Sequence, residues 1–324
     1  MAVDMRASVI IPVYNGQATI AAAIEAVLAQ CYSSAIELVV VDDGSTDGTR
    51  DIVTRYAQVR YVYQANTGPA GARNRGAREA GGDILFFTDA DCRPQPGWIA
   101  RMAREFSDPD IAVVAGSYGI ANPDAWLAAA IHAEIIYRHK MLMPRYPRFF
   151  GSYNFAVRRA VFESAGGFNA GYRQASGEDN DLSYRISAHG GRISFLADVC
   201  VDHYHQEWPW RYLREQFRHG YWRVKMYADH PRMMGGDGYT FWKDAAEVPC
   251  VLLHGVLFVW PWALPAGFLF FVFEAVFGVY IMRSFKSGMA AGGMMWLRAF
   301  ARTAGFVAGG IYLSGKTFSS LKKV

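Results

Sequence analysis

The stretch "DILFFTDADC", residues 83–92, is an apolar run that ends in two carboxylates one residue apart. Residues two apart on an extended chain end point the same way, which sets Asp89 and Asp91 about 7 Å apart on one side. At an effective dielectric near 20, like charges at that distance repel by about 2 kcal/mol. A divalent cation relieves that repulsion, since hard cations such as Mg²⁺ or Mn²⁺ prefer oxygen ligands and complete their shells with substrate phosphates.

The flanking sequence says where that pair sits. Upstream lie an apolar run "SVIIPV" (8–13), a helical pattern "TIAAAIEAVLAQC" (19–31) that Thr19 can cap, and a second apolar run "IELVVVDDGS" (36–45). "VRYVYQ" (59–64) reads as a strand and "GPAGARNRGAREAGG" (68–82) as a helix of small residues. Downstream come "PGWIARMAREF" (96–106) as helix and "IAVVAGSY" (111–118) as strand. Strands alternating with helices at this spacing predict a mostly parallel sheet covered on both faces. Ligands then collect outside the carboxyl ends of the strands. Asp42 and Asp43 end one strand, as Asp89 and Asp91 end another. The second half predicts a helix over 125–142, a strand-to-helix unit over 149–168, a helix over 177–191 and a strand over 192–206. No internal repeat or low-complexity tract is present.

Composition separates the C-terminal quarter from the rest. The chain is 52% apolar and 15% aromatic, with a net charge of +4. From Val248 to Val324 there is one acid, Glu274, against Arg283, Lys286, Arg298, Arg302, Lys316, Lys322 and Lys323. A basic, apolar quarter of this kind suits an anionic membrane surface. Residues 248–282 are almost uncharged and broken by "WPWALP" (260–265), which predicts two short arms with both flanks cytoplasmic. Such a hairpin either crosses the bilayer or stays re-entrant or interfacial. On the helix at 208–227, Trp210, Leu213, Phe217, Tyr221 and Val224 form a stripe beside Arg211, Arg214, Arg218, Arg223 and Lys225, an interfacial pattern. No nucleic-acid recognition motif accompanies those basic residues. Cys31, Cys92, Cys200 and Cys250 are scattered with no C-x-x-C, which argues against a zinc or redox site. The N-terminus enters a strand almost at once and predicts a cytoplasmic location for that part.

Five motifs in order, "SVIIPVYNG", "VVVDDGSTDGT", "NTGPAGARNRGA", "GDILFFTDADC" and "GGFN…GEDNDLSYRISAHGG", resemble the family 2 glycosyltransferases over roughly residues 7–205. The resemblance implies a GT-A fold, Rossmann-like and α/β. It implies that Tyr14 stacks on the nucleotide base and that Asp43 contacts it, with Asp42 holding the loop. Pro12, Asn15 and Ala90 fall in the same nucleotide site, and Arg73 and Asn74 near the ribose and phosphates. Asp91 becomes the metal ligand, joined by Asp89 and by His203 of "VDHYHQ". The base belongs to "GEDND" (177–181), with Asp179 in that role and Glu178 and Asp181 as alternatives. Each of these acids also suits the first turn of a helix.

The resulting expectation is a catalytic domain over 1–206, its donor half 1–118 and acceptor half 119–206. An interfacial helix and linker follow over 207–246, then a membrane-associated hydrophobic helical segment over 247–324. The expected activity is metal-dependent, inverting transfer of one sugar from a nucleotide diphosphate sugar, UDP first, to a lipid-linked or membrane-presented saccharide. The enzyme would sit at the cytoplasmic membrane with its catalytic domain facing the cytoplasm. Transfer to a polyprenyl phosphate is one alternative, and a catalytically inert nucleotide-sugar-binding membrane protein is another. "EQFRHGYW" lacks the Q-x-x-R-W spacing of processive synthases, and "YNGQAT" is not a nucleotidyltransferase phosphate loop.

Overall fold

The computed structural model describes residues 5–172, 177–233, 242–257 and 264–321. Its strands are β1 (Ala7–Val13), β2 (Ile36–Asp42), β3 (Val59–Tyr63), β4 (Ile84–Thr88), β5 (Cys92–Pro94), β6 (Ile111–Ile120), β7 (Asn154–Arg158) and β8 (Arg192–His203). Its helices are α1 (Ile20–Leu28), α2 (Thr49–Val53), α3 (Pro69–Glu79), α4 (Trp98–Glu105), α5 (Trp126–Met141), α6 (Arg159–Ser164), α7 (Glu178–Ala188), α8 (Pro209–Asp229), α9 (Trp242–Leu257), α10 (Leu264–Met282) and α11 (Phe285–Leu321). The chain forms two compact units, Met1–Ala121 with Met143–Tyr204, and Asn122–Leu142 with His205–Val324.

The first unit is one sheet in the order β3-β2-β1-β4-β7-β6-β8-β5. Alternation along each strand splits its side chains between two cores. Val9, Ile11, Val40 and Phe86 face α1 and α4, while Ile10, Val39, Val41 and Phe87 face α3, α6 and α7. The small residues of α3 let it lie close to the sheet: a Cβ on Gly76 would meet Ile10 Cγ2 at 2.4 Å. Thr19 holds the N-cap position of α1 without a side-chain capping bond.

The sheet is more mixed than the alternating pattern predicts. β3, β2, β1 and β4 are parallel, but β7 enters antiparallel to both β4 and β6, and β5 is antiparallel to β8. Both departures follow from where the chain returns, and both serve the carboxyl edge. β7 sets Asn154 opposite Thr88, so "GSYN" (151–154) meets the end of the D-x-D strand. β5 sets Cys92 opposite His203, which brings the end of β8 beside Asp91.

A buried amide locks this junction. The β6–β8 ladder pairs Gly116 with Leu196 and then Ser117 with Cys200, leaving a bulge at 197–199. Asn154, 0% exposed, donates Nδ2 to Ser117 O at 2.8 Å and Val199 O at 3.0 Å, and its Oδ1 accepts Trp98 Nε1 at 2.7 Å. Replacing Asn154 by Leu orphans three buried polar groups, each costing about 1–3 kcal/mol. We expect Asn154→Leu to lose about 3 kcal/mol or more, read as a lower urea midpoint at unchanged m-value.

The second unit is helical and built on buried charge. Arg298 of α11, 2% exposed, pairs with Glu134 of α5 at 2.5 Å and Glu247 of α9 at 3.0 Å. Arg302, one turn on, reaches Glu247 at 3.5 Å and Gln216 of α8 at 2.8 Å. These pairs explain a departure from the expected domain limits. Helix α5, assigned by sequence to the acceptor half, groups with the C-terminal unit because Glu134 answers Arg298 and Leu127 packs with Tyr212 and Met294.

Of the aromatic stripe on α8, Trp210 is 73% exposed, and the helix's buried face is Tyr212, Gln216, Gly220 and Met226. Backbone approach selects that face: a Cβ on Gly220 would lie 2.0 Å from Arg302 O. Among the described residues, no helix is long and apolar enough to cross a membrane. The apolar arms carry Pro249 within α9 and buried Glu274 within α10, and residues 260–263 of the expected turn "WPWALP" (260–265) lie outside the described residues. Residues 303–315, which are also apolar, are part of the 37-residue helix α11.

Candidate active site

The carboxyl edge of the first unit gathers most of the residues singled out by sequence. The loop after β1 is stitched to the loop after β2. Asn15, at φ 52°, donates its N–H to Ser45 Oγ at 2.9 Å and accepts from Thr46 N at 2.8 Å. Gly16 N donates to Thr49 Oγ1 at 2.9 Å. This seam fixes the backbone beside Tyr14 and leaves its ring 55% exposed, free to stack on a planar ligand. Pro12 ends up buried in β1 opposite Val41, and Ala90 packs partly against the core.

The two acids of "DDGS" hold loops. Asp42 accepts from Ser45 N at 2.8 Å and Tyr61 Oη at 2.7 Å. Asp43, 3% exposed, accepts from Gln64 Nε2 at 2.7 Å and Thr67 N at 2.9 Å on one oxygen, and Gly68 N at 2.8 Å on the other. Both carboxylates are engaged by the protein's own donors, so a nucleotide base reaching Asp43 has to share an oxygen.

Arg73 answers the question raised by the D-x-D. Its side chain is 3% exposed and bridges two acids: Nη2 to Asp89 Oδ1 at 2.7 Å, and Nη1 to Glu178 Oε1 at 3.0 Å. Its guanidinium carbon lies 5.5 Å from the centre of the Phe168 ring. The Asp89–Asp91 repulsion is therefore relieved first by an internal cation acting on Asp89. Asn74, placed by the resemblance near phosphates, clasps the backbone of Phe168 instead, donating to its O at 2.7 Å and accepting from its N at 2.8 Å.

Asp91 lies apart from that bridge. Its Oδ2 is 3.4 Å from His203 Nε2, and one ligand atom each of Asp91, Cys92 and His203 all fall within 4.8 Å of one another. Burial, with the charges of Asp91 and Asp89, pushes the Cys92 thiol well up, so it stays protonated and is a poor ligand. The remaining carboxylate and imidazole fit Mn²⁺ or Mg²⁺ with substrate oxygens completing the shell.

From this pair the site continues toward α7. The Tyr118 ring lies 5.1 Å from His203 and stacks on Tyr153 at 3.5 Å. The run that carries Tyr153 is tied to α7, where Phe150 N donates to Ser183 Oγ at 3.1 Å and Ser183 Oγ donates to Asp179 O at 2.7 Å. Gly177, at φ 96°, precedes α7, whose first turn carries Glu178, Asp179 and Asp181. Burial raises the Asp179 carboxyl above the ordinary carboxylate range, against hydrogen bonds from Asn180 N and Ser152 N and the charge of Arg73. Burial and the charge of Asp179 raise Glu178 to about 7, against Arg73. Its Oε2 is buried without a hydrogen-bond partner, so Arg73 holds the carboxyl through Oε1 alone. Asp181 pairs with Arg185 at 2.6 Å and serves the helix. Of the three acids, Asp179 is the one left half-buried rather than committed to an ion pair.

Sequence reasoning missed Ser152, Tyr118, Tyr153 and Asn154. The "GSYN" run at the start of β7 was the one local hint of Ser152, Tyr153 and Asn154, and Tyr118 sits within β6 with no such hint.

The comparisons bear on the family and the fold. Residues 8–176 match the family described as Glycosyl transferase family 2. The glycosyltransferase AglE of Haloferax volcanii is 29% identical over 226 residues, covering 68% of this chain and 73% of that protein. A validoxylamine A glucosyltransferase of Streptomyces hygroscopicus subsp. limoneus is 31% identical over 217 residues, 56% of this chain and 48% of that protein. The chain thus spans about half the length of the second relative. Among solved structures, the mannosyltransferase PcManGT from Pyrobaculum calidifontis, in complex with GDP-Man and Mn²⁺, aligns over 95% of this chain and 87% of its own at 24% identity, with a TM-score of 0.60. That likeness supports a GT-A fold. With the family match taking in more than half of the 324 residues, the chain belongs to glycosyl transferase family 2 and is a glycosyltransferase.

Proposed function

We propose that this chain transfers one sugar, with inversion, from a nucleoside diphosphate donor to a saccharide presented at a membrane, and that it uses a divalent cation. The observation that carries the reading is the placement of a carboxylate–imidazole pair and an acid turn along one chain of contacts. Asp91 and His203 stand 3.4 Å apart at one end, and Asp179 stands at the other, reached through Tyr118, Tyr153 and the Phe150–Ser183 bond that ties the 150–153 run to α7.

Asp179 takes the proton of the acceptor hydroxyl as that oxygen attacks the anomeric carbon opposite the leaving group. Glu178, held by Arg73, fixes the turn that carries the base. A divalent cation on Asp91 and His203 would neutralise the negative charge that builds on the departing diphosphate. Tyr14 offers an exposed ring to the base of the nucleotide. The "DDGS" resemblance favours uracil, while PcManGT was solved with GDP-Man and GalNAc-T7 with UDP, GalNAc and Mn²⁺. The basic C-terminal quarter supports a place at the cytoplasmic membrane, with the catalytic unit on the cytoplasmic side.

A panel of UDP-, GDP- and dTDP-sugars with Mn²⁺, read by thermal shift and donor hydrolysis, tests the donor. Ligand at about 100 times its Kd adds about 2.7 kcal/mol of stability. A UDP-sugar is expected to give that shift and to be hydrolysed. A response to GDP- or dTDP-sugars alone would overturn the uridine assignment, and no response to any would overturn the donor class.

A further inference from the structure

Helix α10 meets α11 closely through small residues: a Cβ on Gly278 would meet Gly288 O of α11 at 2.3 Å, and one on Gly292 of α11 would meet Ala275 Cα at 2.4 Å. Phe277, Ile281 and Met282 pack inward with Ala291 and Met295, but a second set of large apolar side chains stays outward. Leu269 is 66% exposed, Phe273 37%, Val276 62% and Tyr280 62%. Their spacing of i, i+4, i+7 and i+11 sets them on one stripe, about 16 Å long at helical rise.

The stripe ends at a corner of opposite character. Arg283 adopts φ 50° and breaks the helix, and the next turn presents Phe285, 76% exposed, between exposed Arg283 and Lys286. The single acid of the described parts of α10 and α11, Glu274, is 0% exposed. Every exposed formal charge described on these two helices is therefore positive.

We propose that the α10 stripe and the α10–α11 corner dock on an anionic lipid bilayer, with α10 lying in the plane of the interface. Apolar surface confined to one stripe and closed off by cations is the geometry of an interfacial helix, with rings in the acyl boundary and basic groups among headgroup phosphates. Small residues at the closest helix approach, with a large apolar stripe left outward, suit a helix whose outer face is covered by lipid rather than water. A second copy of the chain fits poorly, because a two-fold contact through this patch sets the same cations against each other. The inference deepens the membrane side of the proposed function and names the surface that meets the lipid. It does not depend on the sugar chemistry.

Sedimentation of the full chain with vesicles tests it, using phosphatidylcholine alone and phosphatidylcholine with 30% phosphatidylglycerol, at low and high salt. Each cation near an anionic surface is worth about fivefold in partitioning. The wild type is expected to bind the anionic vesicles, and the double variant Arg283→Glu, Lys286→Glu to bind at least tenfold more weakly. Tyr280→Ser with Phe285→Ser is expected to weaken binding even at low salt. Both variants should keep the wild-type melting temperature, which separates lost docking from lost folding. Wild-type protein that stays in the supernatant overturns the inference, as does equal binding of wild type and both variants. A wild-type dimer that either variant dissolves without changing vesicle binding overturns it in favour of a self-contact. Donor hydrolysis, measured without vesicles, reports on the sugar reading separately.

Discussion

Asp179→Asn should abolish sugar transfer while leaving donor binding intact. The amide keeps the size of the carboxylate and can still accept from the Asn180 N–H, so the turn should hold. It cannot take a proton at neutral pH. General base catalysis contributes about 10²–10⁴-fold, and we expect kcat to fall by about 10³ with the Kd of the metal–nucleotide unchanged. The wild-type pH profile carries the same information. The Asp179 carboxyl is raised, chiefly by burial, and must be ionised to act. The rate is therefore retained above that raised value and lost as pH falls through it. The acid limb of kcat/KM should lie above the ordinary carboxylate range, and a limb at or below that range contradicts the assignment.

The second large effect belongs to Asp91. Asp91→Asn removes the single negative ligand of the Asp91–His203 pair, whose atoms stand 3.4 Å apart. Calorimetry should show the Mn²⁺-dependent part of nucleotide binding lost. Turnover should drop by about 10²–10³-fold, the scale seen when one group that stabilises developing charge is removed. The neighbouring Asp89→Asn should behave differently, because Asp89 is the partner of Arg73 at 2.7 Å. Unbalancing a buried ion pair destabilises the fold, so Asp89→Asn should lower the melting temperature where Asp91→Asn does not. Equal melting temperatures for the two variants would show that Arg73 does not need Asp89.

Much of this was legible because it is written at short range. Alternation in "SVIIPV" and "IELVVVDD" placed side chains on the two faces of the sheet, and the acids at the strand ends marked its carboxyl edge. The family resemblance implied His203 beside Asp91, and the Cys92–His203 register sets the two side by side. What escaped is written at long range. Arg73 and Glu178 are 105 positions apart, and no local pattern tells a buried arginine from a solvated one on a helix of small residues. The antiparallel entry of β7 and the Asn154 knot depend on a bulge between β6 and β8 that periodicity does not encode. Helix α5 follows Arg298, which lies 164 residues beyond Glu134. The face of α8 that packs inward was not marked by hydropathy, because packing there depends on how closely two backbones can approach, and Gly220 decides that.

The anomeric configuration of the product tests the central claim most directly. Proton NMR of the saccharide formed from an α-linked nucleotide sugar in Mn²⁺ reports which face of the anomeric carbon was attacked. One base at Asp179, acting on the acceptor hydroxyl opposite the diphosphate, predicts a β-linked product. An α-linked product would mean that the acceptor attacked from the leaving-group side, and would contradict the single-displacement account built on Asp179.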